Sequence, residues 1–486
     1  MVEIIKKMLR PCFSTVEYGG VGRNVTYAFF AQGIALLSAF IMTLIVPKMI
    51  GVTEYAHWQL FLFYANYVAV TMFGVGDGLY LRLGGMRYKD LDFSRIKTEY
   101  FCVVLSQLVL AAVIWIASLF FGIESDLRFV LLLLLIYLVV QNAYGFIAPV
   151  FQAVNLTRIF SMGAVVSKAS FVVILIALLL VGDKSYEPIA IAYVVGSAMS
   201  LGYCLICGRS ILHADLSSLS REIQQIVNDM RTGLRIMIAY YASSLVVGVA
   251  RQVIVMHWGL VTFGQMSFAF SLISFVLVFI AQFSMVLFPV LRRLDENQLK
   301  KRYGQLRDLI YVASPLAYVL YLPASIILSA WLPDYRDSLT YLGILMPMFV
   351  FDCETSLLYS TYLKVYEDTK QLLGFNVAAL IFSLVASCVG AYTFDSVEFV
   401  VYGLVGAIVL RSVLCGRFLA LRRLHCGWIR QTAAECCYGL IFMVSIAIGN
   451  TVFAALVSLV GYMVLILVNP QSISSVSSLI KEKSRN

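Results

Sequence analysis

Apolar stretches long enough to cross a bilayer recur along this chain, and Lys and Arg cluster in the polar break after every second stretch and almost nowhere else. A helix needs ~20 apolar residues to cross the hydrocarbon. On that length the sequence divides into fourteen segments, near residues 24–47, 56–81, 99–121, 129–153, 160–182, 187–208, 234–257, 262–290, 306–331, 340–363, 371–393, 399–416, 433–449 and 451–469. Thirty of the 36 Lys and Arg fall on one side of this weave, against Lys48, Arg128, Lys184 and Arg336 on the other. By the positive-inside bias the rich side, which includes both chain ends, is cytoplasmic. Only Lys168 and Arg251 remain, and both fall inside apolar segments.

Composition excludes the soluble alternatives. With 61% apolar residues, 13% charged residues and a mean hydropathy of +0.88, a soluble chain of 486 residues would expose more apolar surface than it could bury. The net charge of +9 follows from the topology and from anionic lipid headgroups. No basic-aromatic module accompanies it, so no nucleic-acid partner is expected. The first 23 residues carry Lys6, Lys7 and Arg10 without the apolar core of a signal peptide, so the first segment reads as a retained span. Cys204 and Cys207 form a C-x-x-C, and Cys436 and Cys437 are adjacent. Neither pair has the second pair or the nearby His that zinc requires, so these thiols read as small hydrophobes and no metal or cofactor is expected.

The segments repeat with a period of six. Segments one and two are joined by Gly51-Val52-Thr53-Glu54-Tyr55, and segments seven and eight by the turn at Gly259 to Gly264; both pairs then end in basic clusters, Arg82 to Lys97 and Arg292 to Arg307. Segments four and ten close similarly, with Asn155-Leu156-Thr157-Arg158 and Tyr366-Glu367-Asp368-Thr369-Lys370. An even period makes the halves run the same way through the membrane. The expected fold is therefore an all-α integral membrane protein of about 14 transmembrane helices, two parallel six-helix bundles around a central cavity plus a C-terminal helix pair. The divisions are 1–208, a linker at 209–233, 234–430, and 431–486 for helices 13 and 14 with the tail. In the linker, Leu212, Leu216, Leu219, Ile223, Val227 and Met230 recur at helical spacing, as in an amphipathic helix on the cytoplasmic surface. The alternative is a segment folded against cytoplasmic helix ends.

The run Gly51 to Gly85, with G-V-T-E-Y-A-H-W-Q-L-F-L-F-Y-A-N-Y and then F-G-V-G-D-G-L-Y-L-R-L-G-G, resembles the polysaccharide-biosynthesis flippases of the multidrug/oligosaccharidyl-lipid/polysaccharide exporter superfamily. The likeness covers roughly residues 20–430 in plan, and its sharpest motif is confined to the second helix and its flanks. It implies movement of a polyprenyl-diphosphate-linked oligosaccharide from the inner to the outer leaflet of a bacterial cell membrane, with membrane lipids, a polysaccharide polymerase and other assembly proteins as partners. The diversity of the family leaves the sugar unspecified.

An ionisable group at membrane depth costs ~2.5–3.5 kcal/mol on insertion scales, so each should face the bundle interior, a wet cavity or a partner. Arg251 lies about 9 Å deep from the outer end of its segment and Lys168 about 12 Å from the inner end of its own. Together they are substrate-binding candidates for a diphosphate, the first by directed hydrogen bonds and the second as a point charge. The alternative for both is an internal ion pair. Asp352 and Glu354 point about 200° apart on a helix, so one of them is expected to face a cavity, either binding a coupling ion, H+ or Na+, or pairing with a cation. Asp77 stands among Gly74, Gly76 and Gly78, which let neighbouring backbones approach; it reads either as a substrate or gating residue or as a cap or partner of Arg82. Gln141, Asn142 and Gln152, with Gln252, Gln265 and Gln282, offer amides to sugar hydroxyls or serve as interhelical glue.

Two other functions compete: an ion-coupled small-molecule or drug exporter of the same fold, which needs a net acidic cavity, and a membrane-embedded polysaccharide polymerase, which needs a large outside loop. The two buried cations count against the first and the short outside loops against the second. Enzymatic activity is not expected, and no P-loop for ATP is present.

Overall fold

Each long apolar window folds as a helix, because backbone in hydrocarbon has to satisfy its N–H and C=O groups within its own segment. The computed structural model describes residues 32–122, 124–182, 184–422, 428–449 and 451–472, and no strand occurs among them. Lys6, Lys7, Arg10 and Arg23, and at the other end Lys481, Lys483 and Arg485, lie outside the described residues.

The chain forms two compact units, Met1–Tyr240 and Tyr241–Asn486. The first contains α1 (Gln32–Met49), α2 (Val52–Ala65), α3 (Val75–Leu83), α4 (Phe93–Ser118), α5 (Ser125–Ala153), α6 (Thr157–Val181) and α7 (Glu187–Cys207). Residues 219–291 are helical with one break, at Gly259, whose φ of 83° is left-handed. An unbroken rod of that length would measure about 110 Å, far more than the ~30 Å hydrocarbon. Gly259 therefore divides it into α8 (219–258) and α9 (260–291). The remaining helices are α10 (Glu296–Ala313), α11 (Leu316–Trp331), α12 (Arg336–Glu354, continued through a π-turn at Thr355–Tyr359), α13 (Thr369–Tyr392), α14 (Val397–Leu421), α15 (Trp428–Ala447) and α16 (Thr451–Val468).

By length and apolarity, ten described helices can cross a membrane, or eleven with the bent pair Val52–Met72 and Val75–Leu83 counted as one span. The expected fourteen is not reached on this measure. The stretch Leu219–Ser284 counts once despite its break, α15 is diluted by Arg430, Gln431 and Glu435, and the apolar part of α16 is only Phe453–Val468.

The repeat is visible in backbone detail. Asn155 and Glu367 both take left-handed φ, 63° and 61°. In each turn the next N–H reaches back five residues, Leu156 N to Phe151 O and Asp368 N to Leu363 O, both at 2.8 Å. Each turn leads into the most extensively paired hairpin of its unit, α6/α7 or α13/α14. The helices α4 and α10 also begin alike, Asp92 accepting from Arg95 N and Asp295 from Gln298 N.

The linker joins the first unit through buried acids and through Ile226 and Met230, which pack against its core. Glu222 and Asp229 are buried; Glu222 pairs with Arg95 at 2.8 Å and Asp229 with Arg82 at 2.9 Å, while Arg82 also holds Glu99 at 2.6 Å. Of the apolar set predicted to meet the membrane surface, Leu219, Ile223 and Val227 are exposed on the helix and Leu216 is exposed in the non-helical stretch before it, while Met230 packs against the core. From Leu219 the helix runs without interruption into the span predicted at 234–257, since Gly233 serves a close crossing and no proline breaks the chain there. The crossing is with α3. A Cβ on Gly78 would stand 2.0 Å from Asp229 O, and one on Gly233 would stand 1.9 Å from Gly74 O. The glycines of the F-G-V-G-D-G run thus bring two backbones together, as their sequence suggests.

Candidate functional site

The residues that carry the family resemblance build the interior of the first unit. Tyr55, Trp58 and Phe61 are fully buried. Trp58 stacks with Phe171 and meets Tyr193 edge-on, with ring centroids 6.1 and 5.8 Å apart. Glu54 accepts from the Tyr186 N–H at 2.9 Å and so caps α7. Glu54→Ala is expected to lower stability by about 1 kcal/mol, read as a small drop in the thermal midpoint of the purified protein. An unchanged midpoint would show that the cap contributes nothing.

Lys168 on α6 is half-buried against this aromatic group, its Nζ 5.0 Å from the Tyr193 ring centroid. Among the described residues it makes no ion pair. Arg251 on α8 is half-buried in the second unit. It donates to Ser267 Oγ at 2.8 Å and lies over Phe263 and Phe270, 5.0 and 5.8 Å from their centroids. Both cations predicted at membrane depth therefore sit against aromatic faces.

Asp352 and Glu354 take the pairing alternative, and their partners revise the cation count. Asp352 pairs with Arg411 on α14, which also donates to Ser243 Oγ at 2.9 Å. Glu354 pairs with Arg307 on α10 and accepts from Ser412 Oγ at 3.1 Å. The opposite directions of the two carboxylates, predicted from helix geometry, send them to different helices. The count of thirty cytoplasmic cations includes Arg307, in the basic cluster after segment eight, and Arg411, grouped with those after segment twelve. The loop placement is corrected here, for both lie within helices and are buried, Arg307 0% and Arg411 5% exposed. Averaged hydropathy hid Arg307, because the polar run from Glu296 is helical and turns this side inward. Glu435 on α15 completes the cluster, holding Arg307 through both oxygens at 2.7 and 3.2 Å. The sequence reading passed over it, although a lone acid in an apolar segment is the signal that finds such residues.

The other candidates are dispersed. Asp77 is exposed in the first turn of α3, and its suggested partner Arg82 binds Glu99 and Asp229 instead. Phe73 and Gly74 just before it have left-handed φ of 49° and 79°, which bends the span by 56°. Asn142 is fully buried and donates to Thr71 Oγ1 and Gln107 Oε1, each at 2.8 Å, fastening α5 to α4. Gln141 and Gln282 are half-buried. Among the described residues no group of three or more His, Cys, Asp or Glu is placed to hold a metal ion.

A profile described as "Polysaccharide biosynthesis protein" matches residues 21–295. No curated protein sequence matches the chain. Among solved structures it is similar to the lipid II flippase MurJ in an inward closed conformation, with a TM-score of 0.61 and 12% identity over 91% of this chain and 97% of that one. It is also similar to an inward-facing multidrug resistance MATE family transporter of the MOP superfamily, with a TM-score of 0.54 and 14% identity over 86% and 97% of the two chains. At such identities the likeness is one of fold.

Proposed function

Because the chain belongs to the polysaccharide biosynthesis protein family, we propose that it is a flippase that carries a polyprenyl-diphosphate-linked oligosaccharide from the cytoplasmic to the outer leaflet of the cell membrane, for surface polysaccharide assembly. The family match over 21–295 carries this reading. The shared fold supports it, since one of the similar structures is a lipid II flippase. On this reading the protein is a transporter and not an enzyme, its termini are cytoplasmic by the basic-residue bias, and it works by alternating access. Moving one charge across 100 mV is worth ~2.3 kcal/mol, so a membrane potential or an H+ or Na+ gradient suffices as the drive.

Arg251 is the residue assigned to the diphosphate. Its planar fork suits phosphate oxygens, and the faces of Phe263 and Phe270 keep it oriented. Labelled lipid-linked oligosaccharide in reconstituted vesicles, assayed separately in each leaflet, should cross faster with the protein than without it. No acceleration would overturn the proposal. Arg251→Ala should slow crossing about tenfold, the worth of one charge-assisted contact, with Arg251→Lys intermediate; wild-type rates in correctly inserted Arg251→Ala would remove this residue from the site. Cells lacking the protein should accumulate the glycan on the cytoplasmic leaflet, whereas loss of a polymerase would leave single units outside.

A further inference from the structure

The cluster at Arg307 does not balance in charge. One guanidinium serves two carboxylates, and Arg307, Glu354 and Glu435 are 0%, 0% and 1% exposed. Arg307 Nη1 donates to both acids, which lie against each other, while Nη2 donates to Glu435 and, at 3.4 Å, to Thr432 Oγ1. Two ionised carboxylates in contact, shut away from water, repel strongly, and a buried net charge is costly in itself.

Among the described residues, the surroundings bring no second positive charge. The titratable groups among them that face the cluster are Tyr303 and Tyr311 on α10, Tyr318 on α11 and Tyr359 in the π-turn, with Cys353, Cys415 and Cys436, all uncharged at neutral pH. Arg411 and Asp352 cancel one another. Asp308 faces Gln431 and Ser472, and Arg430 binds Asn469.

The first unit shows that the position does not demand charge. Asn142 and Glu354 each lie 13 residues before the equivalent left-handed turn residues, Asn155 and Glu367. Each ties its helix to the one that opens with the Asp cap, α5 to α4 and α12 to α10. In the first unit neutral amides and a hydroxyl make that tie. In the second an acid and a base make it, and α15, which lies outside the repeat, adds the excess acid.

We propose that Glu354 and Glu435 share one proton beside Arg307, forming a proton-binding site enclosed in the second unit. A carboxyl donating to a carboxylate removes the repulsion, leaves one negative charge for Arg307 and keeps all three helices joined, as in other paired acids that titrate as a unit. The proton comes from water and binds a carboxylate oxygen, with no other bond made or broken. Its release leaves net negative charge in the interior and weakens the hold of α15 on α10 and α12. The site does not rest on the transport reading.

Infrared spectroscopy of the purified protein, with and without 13C-labelled glutamate, tests it. At neutral pH the wild type should show the carbonyl stretch of a protonated carboxyl, shifted by the label, and both Glu354→Gln and Glu435→Gln should lose it. Absence of the band from the wild type, or its survival in both variants, would overturn the proposal. Should the glutamine variants fail to fold, Glu435→Asp with 13C-labelled aspartate replaces them: the shared band should then respond to the aspartate label, and indifference to it would equally count against the site.

Discussion

Arg307→Met is expected to destabilise the folded protein by about 3–5 kcal/mol, the usual cost of removing one partner from a buried ion pair. The side chain is wholly enclosed and is the common partner of Glu354 and Glu435, with Thr432 Oγ1 at 3.4 Å. Methionine fills much of the volume but leaves two acids facing each other in an apolar interior. What is lost is the compensation of charge more than the contact itself, so removing the acids as well should restore stability. The triple variant Arg307→Met, Glu354→Gln, Glu435→Gln is expected to melt near the wild type, because neutral replacement of a buried ionic cluster is often harmless. Thermal midpoints in detergent check both results. A single variant as stable as the wild type would show that the cluster contributes nothing to holding α10, α12 and α15 together.

The same cluster marks where the sequence stops being legible. Helix positions follow from local apolar windows, and the repeated turns at Asn155 and Glu367 follow from residues adjacent in the chain, so both could be read directly. The opposed directions of Asp352 and Glu354 were also open to reading, because helix geometry alone decides them. Their partners were not. Arg307 lies 47 residues from Glu354 and 128 from Glu435, and the polar run around it looks like a loop until the helix from Glu296 shows which side faces inward. Asn142 illustrates the converse: binding amide and interhelical glue have the same sequence signature, and only packing against Gln107 and Thr71 tells where its donors go. The linker is helical from Leu219 onward but not over 213–218, and its apolar spacing carries no sign of Glu222 and Asp229, which anchor it.

Gly78→Ala should cost about 3 kcal/mol or more, at the upper end of what overpacking does, because nothing near the new methyl can yield. Its Cβ would lie 2.0 Å from Asp229 O and 2.6 Å from Asp229 C, both backbone atoms of α8. Relief requires moving the whole helix, and that movement pulls Asp229 away from Arg82, now 2.9 Å apart, and exposes the buried acid. Gly202→Ala is the control: it is also inside a helix, α7, but has no neighbour within 4 Å of the added Cβ, and it should be neutral or stabilising by up to about 1 kcal/mol through helix propensity. Gly233→Ala attacks the same crossing from the other side, 1.9 Å from Gly74 O. Once either methyl has displaced α8, the second has room, so Gly78→Ala with Gly233→Ala should cost clearly less than the two single losses added together. Thermal midpoints of the four variants decide the matter. Equal stability of Gly78→Ala and Gly202→Ala would mean that the F-G-V-G-D-G run does not hold this crossing, and full additivity would mean that the two glycines act at separate contacts.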